Sequence, residues 1–440
     1  MPLRRLHGLS AAVSDHLRRS LSTAASHPAW VMMDNIKLRP SSAQRASAEL
    51  AAPPGVSHLV VPDHLIDLDP ETPVDPDSDQ LRFHIGHAGA TSGDGLLLLD
   101  FMDLSATAPV VATHRSPPQR KLTGFSMNLH SASGATQERR ITGYDMDPDI
   151  TRFVCNPVTG QLFRLPDIDG TKKTKYCQNL GLLTASASAH GNGTGPPDRY
   201  AVAWIGEDGD GDEEKQTFVM RRFLSQTGEW EKLERLPSPL PLTRPLGIHT
   251  HHEVLAFAGR IWWWVDLSWG AVSADPFSDR PELRIVELPK GRLLPLPSSA
   301  DEITGYLAAQ GMYRRMGVSE GRLRYVEISP EPPFVFSNFA LDDDGCSWTL
   351  EYQNALGRAP AGHPLHEEIP WIGAIDPLNA RLVYFILGDY VFSVDMHKGV
   401  FEHSHLGEHE YQQRTVLMNC LLPCVLPPWL GSSQIPSTDQ

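Results

Sequence analysis

At 440 residues, 41% hydrophobic and 21% charged, the chain has a globular composition and is long enough for two or three domains or one large closed β architecture. Its 37 prolines and 35 glycines interrupt the sequence every few residues, which excludes long helices. A formal net charge of -15 opposes nucleic-acid phosphates and anionic membrane surfaces, so the expected macromolecular partner is a protein.

Residues 1–29 carry Arg4, Arg5, Arg18 and Arg19, many Ser and Ala, a single acid (Asp15), and Leu3, Leu6, Leu9, Val13 and Leu17 at near-helical spacing. That composition predicts an organelle transit peptide, and hence a mitochondrial protein, with a disordered leader on a cytoplasmic or nuclear protein as the alternative. His7, Ser10, Ser14 and Asp15 break the apolar stretch a secretory signal requires. No run approaches the roughly 20 apolar residues that span a bilayer.

From Trp30 to about residue 430 the pattern is one of short β-branched and aromatic runs between Gly, Pro, Asn, Asp and Ser clusters. The strands it predicts include His58–Val61, Leu81–Ile85, Leu96–Phe101, Arg152–Cys155, Leu162–Leu165, Arg199–Ile205 and Thr217–Phe223. They continue with Val254–Phe257, Arg260–Val265, Leu283–Leu288, Leu323–Ile328, Ser347–Tyr352, Leu382–Ile386 and Tyr390–Val394. One helix is expected after the leader, Ser299–Gly311, with Asp301 and Glu302 in its first turn. Residues 431–440 read as a disordered tail. The basic stretches Arg115–Lys121 and Lys172–Lys175 read as solvated loops.

A hairpin unit recurs. In Phe153-Val-Cys-Asn156-Pro157-Val-Thr-Gly160-Gln-Leu162 a strand ends, turns, and restarts after glycine; Phe392-Ser-Val-Asp395-Met-His-Lys-Gly399-Val-Phe401 repeats the order and spacing. Arg222-Phe-Leu-Ser225-Gln-Thr-Gly228-Glu-Trp230 shortens the turn by one, and Ile375-Asp376-Pro377-Leu-Asn-Ala380-Arg-Leu382 keeps the spacing without the glycine. Asn, Asp or Ser caps such a turn, Pro presets φ, and Gly takes the positive φ before the next strand. Units too small to bury their own faces are satisfied by radial packing. The expected fold is therefore all-β, a propeller-like array of small antiparallel sheets (roughly six or seven blades) with few short helices, and a two-sheet fold as the alternative.

The segment Gly259-Arg-Ile-Trp-Trp-Trp-Val-Asp-Leu-Ser-Trp269-Gly-Ala-Val-Ser-Ala-Asp-Pro-Phe-Ser-Asp279 and its continuation to Pro289 resembles the signature of the domain-of-unknown-function 1618 family, expanded in grasses. Its marker positions here are Trp263, Asp266, Trp269, Asp275, Pro276 and Asp279, inside a signature region of about 251–350. Trp30-Val-Met-Met-Asp34, Cys155-Asn-Pro-Val-Thr-Gly-Gln-Leu-Phe-Arg-Leu-Pro166, Phe223–Trp230 and Leu422–Pro427 also look like that family. The resemblance implies no activity. Its Asn-Pro-x-Thr-Gly turn resembles that of F-box-associated plant propellers, but no F-box-like segment precedes Trp30.

Four patterns raise chemistry. Gly317-Val318-Ser319-Glu320-Gly321 matches a nucleophile elbow, yet the adjoining run, Arg322–Ile328, reads as a strand where a helix is required, so a hairpin turn is expected. His249 and His251 would share a strand face about 7 Å apart, a two-ligand edge for zinc, with Asp266 or one of His403, His405 and His409 completing it. Asp208–Glu214 starts like a calcium loop but has Glu213 at the sixth position and Val219 at the twelfth, so it reads as a hairpin tip, as does Asp342–Gly345. Trp262, Trp263, Trp264 and Trp269 could stack on a sugar ring, and strand alternation commits at least one of their faces to core. Cys155, Cys177, Cys346, Cys420 and Cys424 are odd in number and scattered, predicting reduced thiols, with Cys420 and Cys424 as small buried hydrophobes. No pattern implies a cofactor. The reading is a non-catalytic β scaffold that binds a protein on a loop face, with a metal-dependent enzyme or binder on the His249–His251 strand, or a carbohydrate-binding module, as alternatives.

Overall fold

The computed structural model describes residues 27–66, 78–109, 126–130, 136–140, 143–145, 147–173, 179–186, 195–208, 217–237, 253–266, 270–293, 311–329, 334–355, 370–388, 390–405 and 421–437. Among them the fold is almost entirely β. Helical structure is limited to single 3-10 turns and residues 311–313, the end of the expected helix, whose remainder lies outside the described residues.

The first strands are β1 (Trp30–Arg39), β2 (Ser47–Glu49), β3 (Val56–Pro62), β4 (Gln80–Thr91) and β5 (Leu97–Thr107). They are followed by a separate hairpin, β6 (Ser126–His130) with β7 (Thr136–Arg140), then β8 (Gly143–Tyr144), β9 (Asp149–Cys155) and β10 (Leu162–Arg164). Four antiparallel meanders come next, each of four strands in chain order. These are β11 (Gly181–Ala185) to β14 (Glu229–Leu233) through β12 (Arg199–Asp208) and β13 (Thr217–Leu224), and β15 (Glu253–Phe257) to β18 (Arg284–Glu287) through β16 (Arg260–Asp266) and β17 (Gly270–Ala274). The last two are β19 (Arg314–Ser319), β20 (Arg322–Ile328), β21 (Val335–Leu341) and β22 (Trp348–Ala355), then β23 (Trp371–Ile375), β24 (Leu382–Leu387), β25 (Tyr390–Asp395) and β26 (Gly399–His405). We number these sheets 3 to 6.

The nine-stranded sheet formed by the earlier strands is two units in one. β1 and β4 are joined only at Ile36 opposite Gly86, so β4-β5-β9-β10 forms one four-stranded unit, sheet 2. The other, sheet 1, is β1 flanked by β3 in parallel, β2 beyond it, and the last strand, β27 (Leu422–Val425), antiparallel on the other side. The start and end of the folded chain therefore share a sheet, with Trp30 opposite Val425 and Met33 opposite Leu422. The innermost strands touch in sequence, β4 to β11, β11 to β15, β15 to β19, β19 to β23, β23 to β27, and β27 back to β4.

Packing follows the same order. Five apolar clusters fill the spaces between sheets, the largest spanning sheets 1, 2 and 3; Val254 and Ile261 of sheet 4 pack with Leu183 and Ala203 of sheet 3, and Met316 and Tyr325 of sheet 5 with Trp262 and Val286 of sheet 4. Every run expected as a strand overlaps one. Asp208 pairs with Thr217 across the expected hairpin, whose tip lies outside the described residues. The tail expectation for 431–440 is corrected over 431–437. Ile435 is buried and its amide donates to Gln161 Oε1 at 2.8 Å, because an apolar side chain there finds a place against sheet 2.

Candidate functional site

Most of the recurrent turn residues share a position in the fold, whereas Asp376, whose Oδ1 accepts the Leu378 and Asn379 amides, follows the first strand of sheet 6. Asn156, Ser225, Asp275 and Asp342 each come directly after the third strand of successive sheets, and Asp395 ends the third strand of sheet 6. Asn156 is fully buried; its Oδ1 accepts the amides of Val158 (3.0 Å) and Thr159 (3.2 Å), and its Nδ2 donates to Leu430 O at 2.9 Å, beyond β27. Asp395 Oδ1 likewise accepts from His397 (2.7 Å) and Lys398 (3.1 Å), and Asp275 Oδ1 from Phe277 at 2.9 Å. A side-chain oxygen thus supplies what the reversing backbone cannot supply itself. Gly160 and Gly228 take the expected positive φ, 69° and 72°. Ser225 departs from the expected capping role: its Oγ accepts the Tyr200 amide at 2.9 Å, and Leu224 O closes the turn.

These turns latch one sheet to the next. The Ala46 amide donates to Gly160 O at 2.9 Å, joining sheet 1 to sheet 2. Trp230 Nε1 reaches Pro166 O at 2.7 Å from sheet 3 to sheet 2. Arg222, 4% exposed, donates to Pro276 O at 2.8 Å and Ser278 O at 2.5 Å, and Arg199 lies 4.8 Å over the Phe277 ring. The Asp275-Pro276 pair of the signature segment is therefore another copy of the Asn156-Pro157 turn, gripped by sheet 3. Trp348 Nε1 to Glu287 O (2.7 Å) and Ser319 Oγ to Asp376 O (2.5 Å) carry the pattern from sheet 4 to 5 and from 5 to 6. Ser319 sits at the end of β19, before the Glu320-Gly321 turn into β20, both turn residues at positive φ. It is a hairpin serine, buried and engaged, as expected.

A second cluster lies on the inner strands. The Arg315 guanidinium of β19 pairs with Glu253 of β15, donates to Leu421 O at 2.8 Å just before β27, and approaches Ile372 O of β23 at 3.5 Å. Glu253 also accepts the Met316 amide at 3.2 Å. Burial raises the Glu253 carboxyl above its ordinary value, with Arg315 and the amide opposing. One arginine thus touches the inner strands of sheets 4, 5 and 6 and the approach to the closing strand of sheet 1.

A cleft open to a ligand lies between sheets 5 and 6 among the described residues. It holds about 530 Å³ and is lined by Glu320, Arg322 and Arg324 from the start of sheet 5, Glu351 and Tyr352 from β22, and Asn379, Ala380, Arg381, Asp395 and Lys398 from turns of sheet 6. Glu351 accepts from both arginines, Arg322 Nη1 on Oε1 at 2.8 Å and Arg324 Nη1 on Oε2 at 2.5 Å. Arg322 also holds Leu341 O and Asp342, fixing the β21–β22 turn. Arg381 and Lys398 are exposed. The chemistry on offer is fixed cationic donors interleaved with carboxylates. No linear motif announced it, but one signal was present: arginine heads β12, β16 and β20 and directly precedes β24, as Arg199, Arg260, Arg322 and Arg381.

The remaining expected positions are scattered. His249, His251, Trp269, His409, Cys177 and Cys420 lie outside the described residues. Trp263 pairs with Val254 and Val272, and Asp266 with Gly270 beyond a bulge. Trp262 is buried, its Nε1 donating to Phe257 O at 3.2 Å. His403 stacks on Phe392 at 5.7 Å. Among the described residues no group of three or more His, Cys, Asp or Glu is placed to hold a metal. Asp342–Gly345 is an acidic turn, with the Asp344 carboxyl held below its ordinary value by the Cys346 and Ser347 amides and the Ser347 hydroxyl. Cys155 and Cys424 are buried free thiols, whereas Cys346 is exposed.

Residues 264–360 match the family model described as "Protein of unknown function (DUF1618)", which covers the heart of the signature region. No curated protein matches the chain. Among solved structures, a protein assigned by inference as a 6-phosphogluconolactonase from Bacteroides uniformis ATCC 8492 is 8% identical, covering 70% of this chain and 81% of its own, at a TM-score of 0.25. A second of the same assignment, from Bacteroides fragilis NCTC 9343, is 10% identical over 70% of this chain and 99% of its own, at 0.22. At such scores neither likeness carries weight for fold or function.

Proposed function

We propose that the protein is a non-catalytic, propeller-like β scaffold that binds a protein partner, with the cleft between sheets 5 and 6 as the contact. The closed order of contacts among the innermost strands, completed by β27 on β1, supports the propeller-like arrangement. The observation that carries the binding role is the cleft's lining: ten residues without a thiol, an aliphatic hydroxyl or an imidazole, whose carboxylate Glu351 is already held by two arginines. Such a lining offers charged donors and acceptors for recognition, without a thiol or hydroxyl set beside an imidazole. The turns that place Arg381 and Lys398 are latched to sheet 5, Asn338 Nδ2 donating to Ala380 O at 3.3 Å and Asn354 Nδ2 to Met396 O at 2.9 Å, so the donors are held ready. Affinity capture from the native compartment tests this. The wild-type chain should retain a reproducible partner that Arg381→Glu/Lys398→Glu loses, and a monomer with no reproducible partner would reject the reading.

A further inference from the structure

The lining of the cleft also specifies the chemistry of what fits it. Arg324 is 3% exposed at its side chain, and its donors go to Glu351 and, at 3.4 Å, to Ser319 O. A buried guanidinium needs an anion; left with a carbonyl alone it would be an uncompensated buried charge. Arg322 turns a second guanidinium onto the same carboxylate, so the two arginines of β20 form a slot built for one carboxyl group, each of whose oxygens takes one donor.

The group now filling that slot comes from an insecure place. Glu351 belongs to β22, the outer strand of its sheet, most of whose residues are exposed, and a register irregularity between Asn338 and Phe339 places Glu351 at a bulge. Its side chain is 26% exposed, far more open than the Arg324 it neutralises. Arg381 and Lys398 stand exposed at the rim on the sheet 6 side. Counting the lining, four cations (Arg322, Arg324, Arg381, Lys398) meet three carboxylates (Glu320, Glu351, Asp395), and Asp395 spends one oxygen on two amides of its own turn. Asp342, held by Arg322 at 3.3 Å, brings the carboxylates to four, so in a chain of net charge -15 the cleft is locally balanced rather than acidic.

We propose, resting on the scaffold reading, that the cleft receives an acidic peptide segment of the partner. One carboxylate of the segment takes the place of Glu351 between Arg322 and Arg324, and another pairs with Arg381 and Lys398. Glu351 is then an internal stand-in for the ligand, keeping Arg324 compensated while the cleft is empty and setting a threshold that a single weak anion does not pass.

The test uses the full chain and a fluorescently labelled hexaglutamate peptide, with hexaglutamine, inorganic phosphate and a single-stranded oligonucleotide as comparisons, read by anisotropy. Hexaglutamate should bind and hexaglutamine should not, with affinity falling as salt rises. Arg381→Glu/Lys398→Glu, both at exposed positions, should weaken binding about tenfold or more, the loss of two exposed charge pairs. Glu351→Gln should tighten it about tenfold by removing the internal competitor, an effect that a purely structural glutamate would not produce. Equal binding of hexaglutamine, equal or tighter binding of phosphate or the oligonucleotide, or indifference to the Arg381/Lys398 reversal would overturn the assignment. If Glu351→Gln is unstable, the exposed double variant decides. Should hexaglutamate fail while the wild-type chain still captures its partner, the scaffold reading stands and the acidic-segment assignment falls.

Discussion

Replacing Arg315 by methionine is expected to be among the most damaging single changes to this fold. The side chain is 4% exposed and its charge is matched by Glu253, itself 12% exposed, so the substitution keeps the volume but leaves a buried carboxylate without its cation. Breaking a buried pair from one side costs about 3–5 kcal/mol, and the bond to Leu421 O is lost with it. Glu253→Gln added to Arg315→Met removes the orphaned charge and should restore about 2 kcal/mol or more, a coupling measurable by urea denaturation of the four members of the cycle. The pH dependence has a definite sign. Without Arg315, burial is opposed only by the Met316 amide and holds the Glu253 carboxyl further above its unfolded value. Stability is therefore fully present below the unfolded pKa and lost as pH rises through the folded one, so the Arg315→Met deficit should be small near pH 4 and large at pH 7. A cost under about 1 kcal/mol at pH 7, or additive single variants, would refute the view that this pair ties sheets 4, 5 and 6 together.

Gly160→Ala should destabilise by about 2 kcal/mol or more in thermal melts, since its φ is 69° and an added Cβ would meet Ala46 O at 1.9 Å; a neutral result would deny the latch between sheets 1 and 2. Asn156→Ala, which strips two turn amides and Leu430 O of their partner, should cost a similar amount in the same assay. The Asp94 carboxyl is raised by burial against hydrogen bonds from Ser92 and Thr184, so wild-type stability should fall as pH rises through its folded pKa, and Asp94→Asn should flatten that slope. With a thiol reagent on native protein Cys346 should label quickly, whereas Cys155 and Cys424 should label only after unfolding; both are buried, and burial pushes the Cys424 thiol up to about 12.

The strands that the sequence displayed plainly are the middle ones of each sheet, such as β12, β20 and β24, whose long apolar runs face neighbours on both sides. Of the inner strands, β4 and β15 were among the expected runs, and β11, β19, β23 and β27 were not. They converge, and their positions favour small residues: a Cβ on Gly181 would meet Ile261 of the next sheet at 2.2 Å, and one on Gly317 would meet Ile375 at 3.0 Å. The inner run Gly181–Ala185 consequently carries Thr184 alone among the β-branched and aromatic residues that mark a strand. β19 was masked by its own composition, Arg314-Arg-Met-Gly-Val-Ser319, directly after an expected helix. Turn chemistry was legible because it is local: Asn156 and Asp395 announce themselves within four residues. The cleft was not, because its arginines, Glu351 and Lys398 are separated by dozens of residues and meet only when sheet 6 packs on sheet 5.

The arrangement of all six sheets depends on β27 lying beside β1. In the antiparallel register Val31 stands opposite Cys424, within the Cα separation a disulfide accepts. Val31→Cys under mild oxidation should therefore give a monomer whose peptide map contains a bridge from position 31 to Cys424. If that bridge does not form, or only intermolecular dimers appear, the two ends of the chain do not share a sheet and the closed order of contacts is wrong.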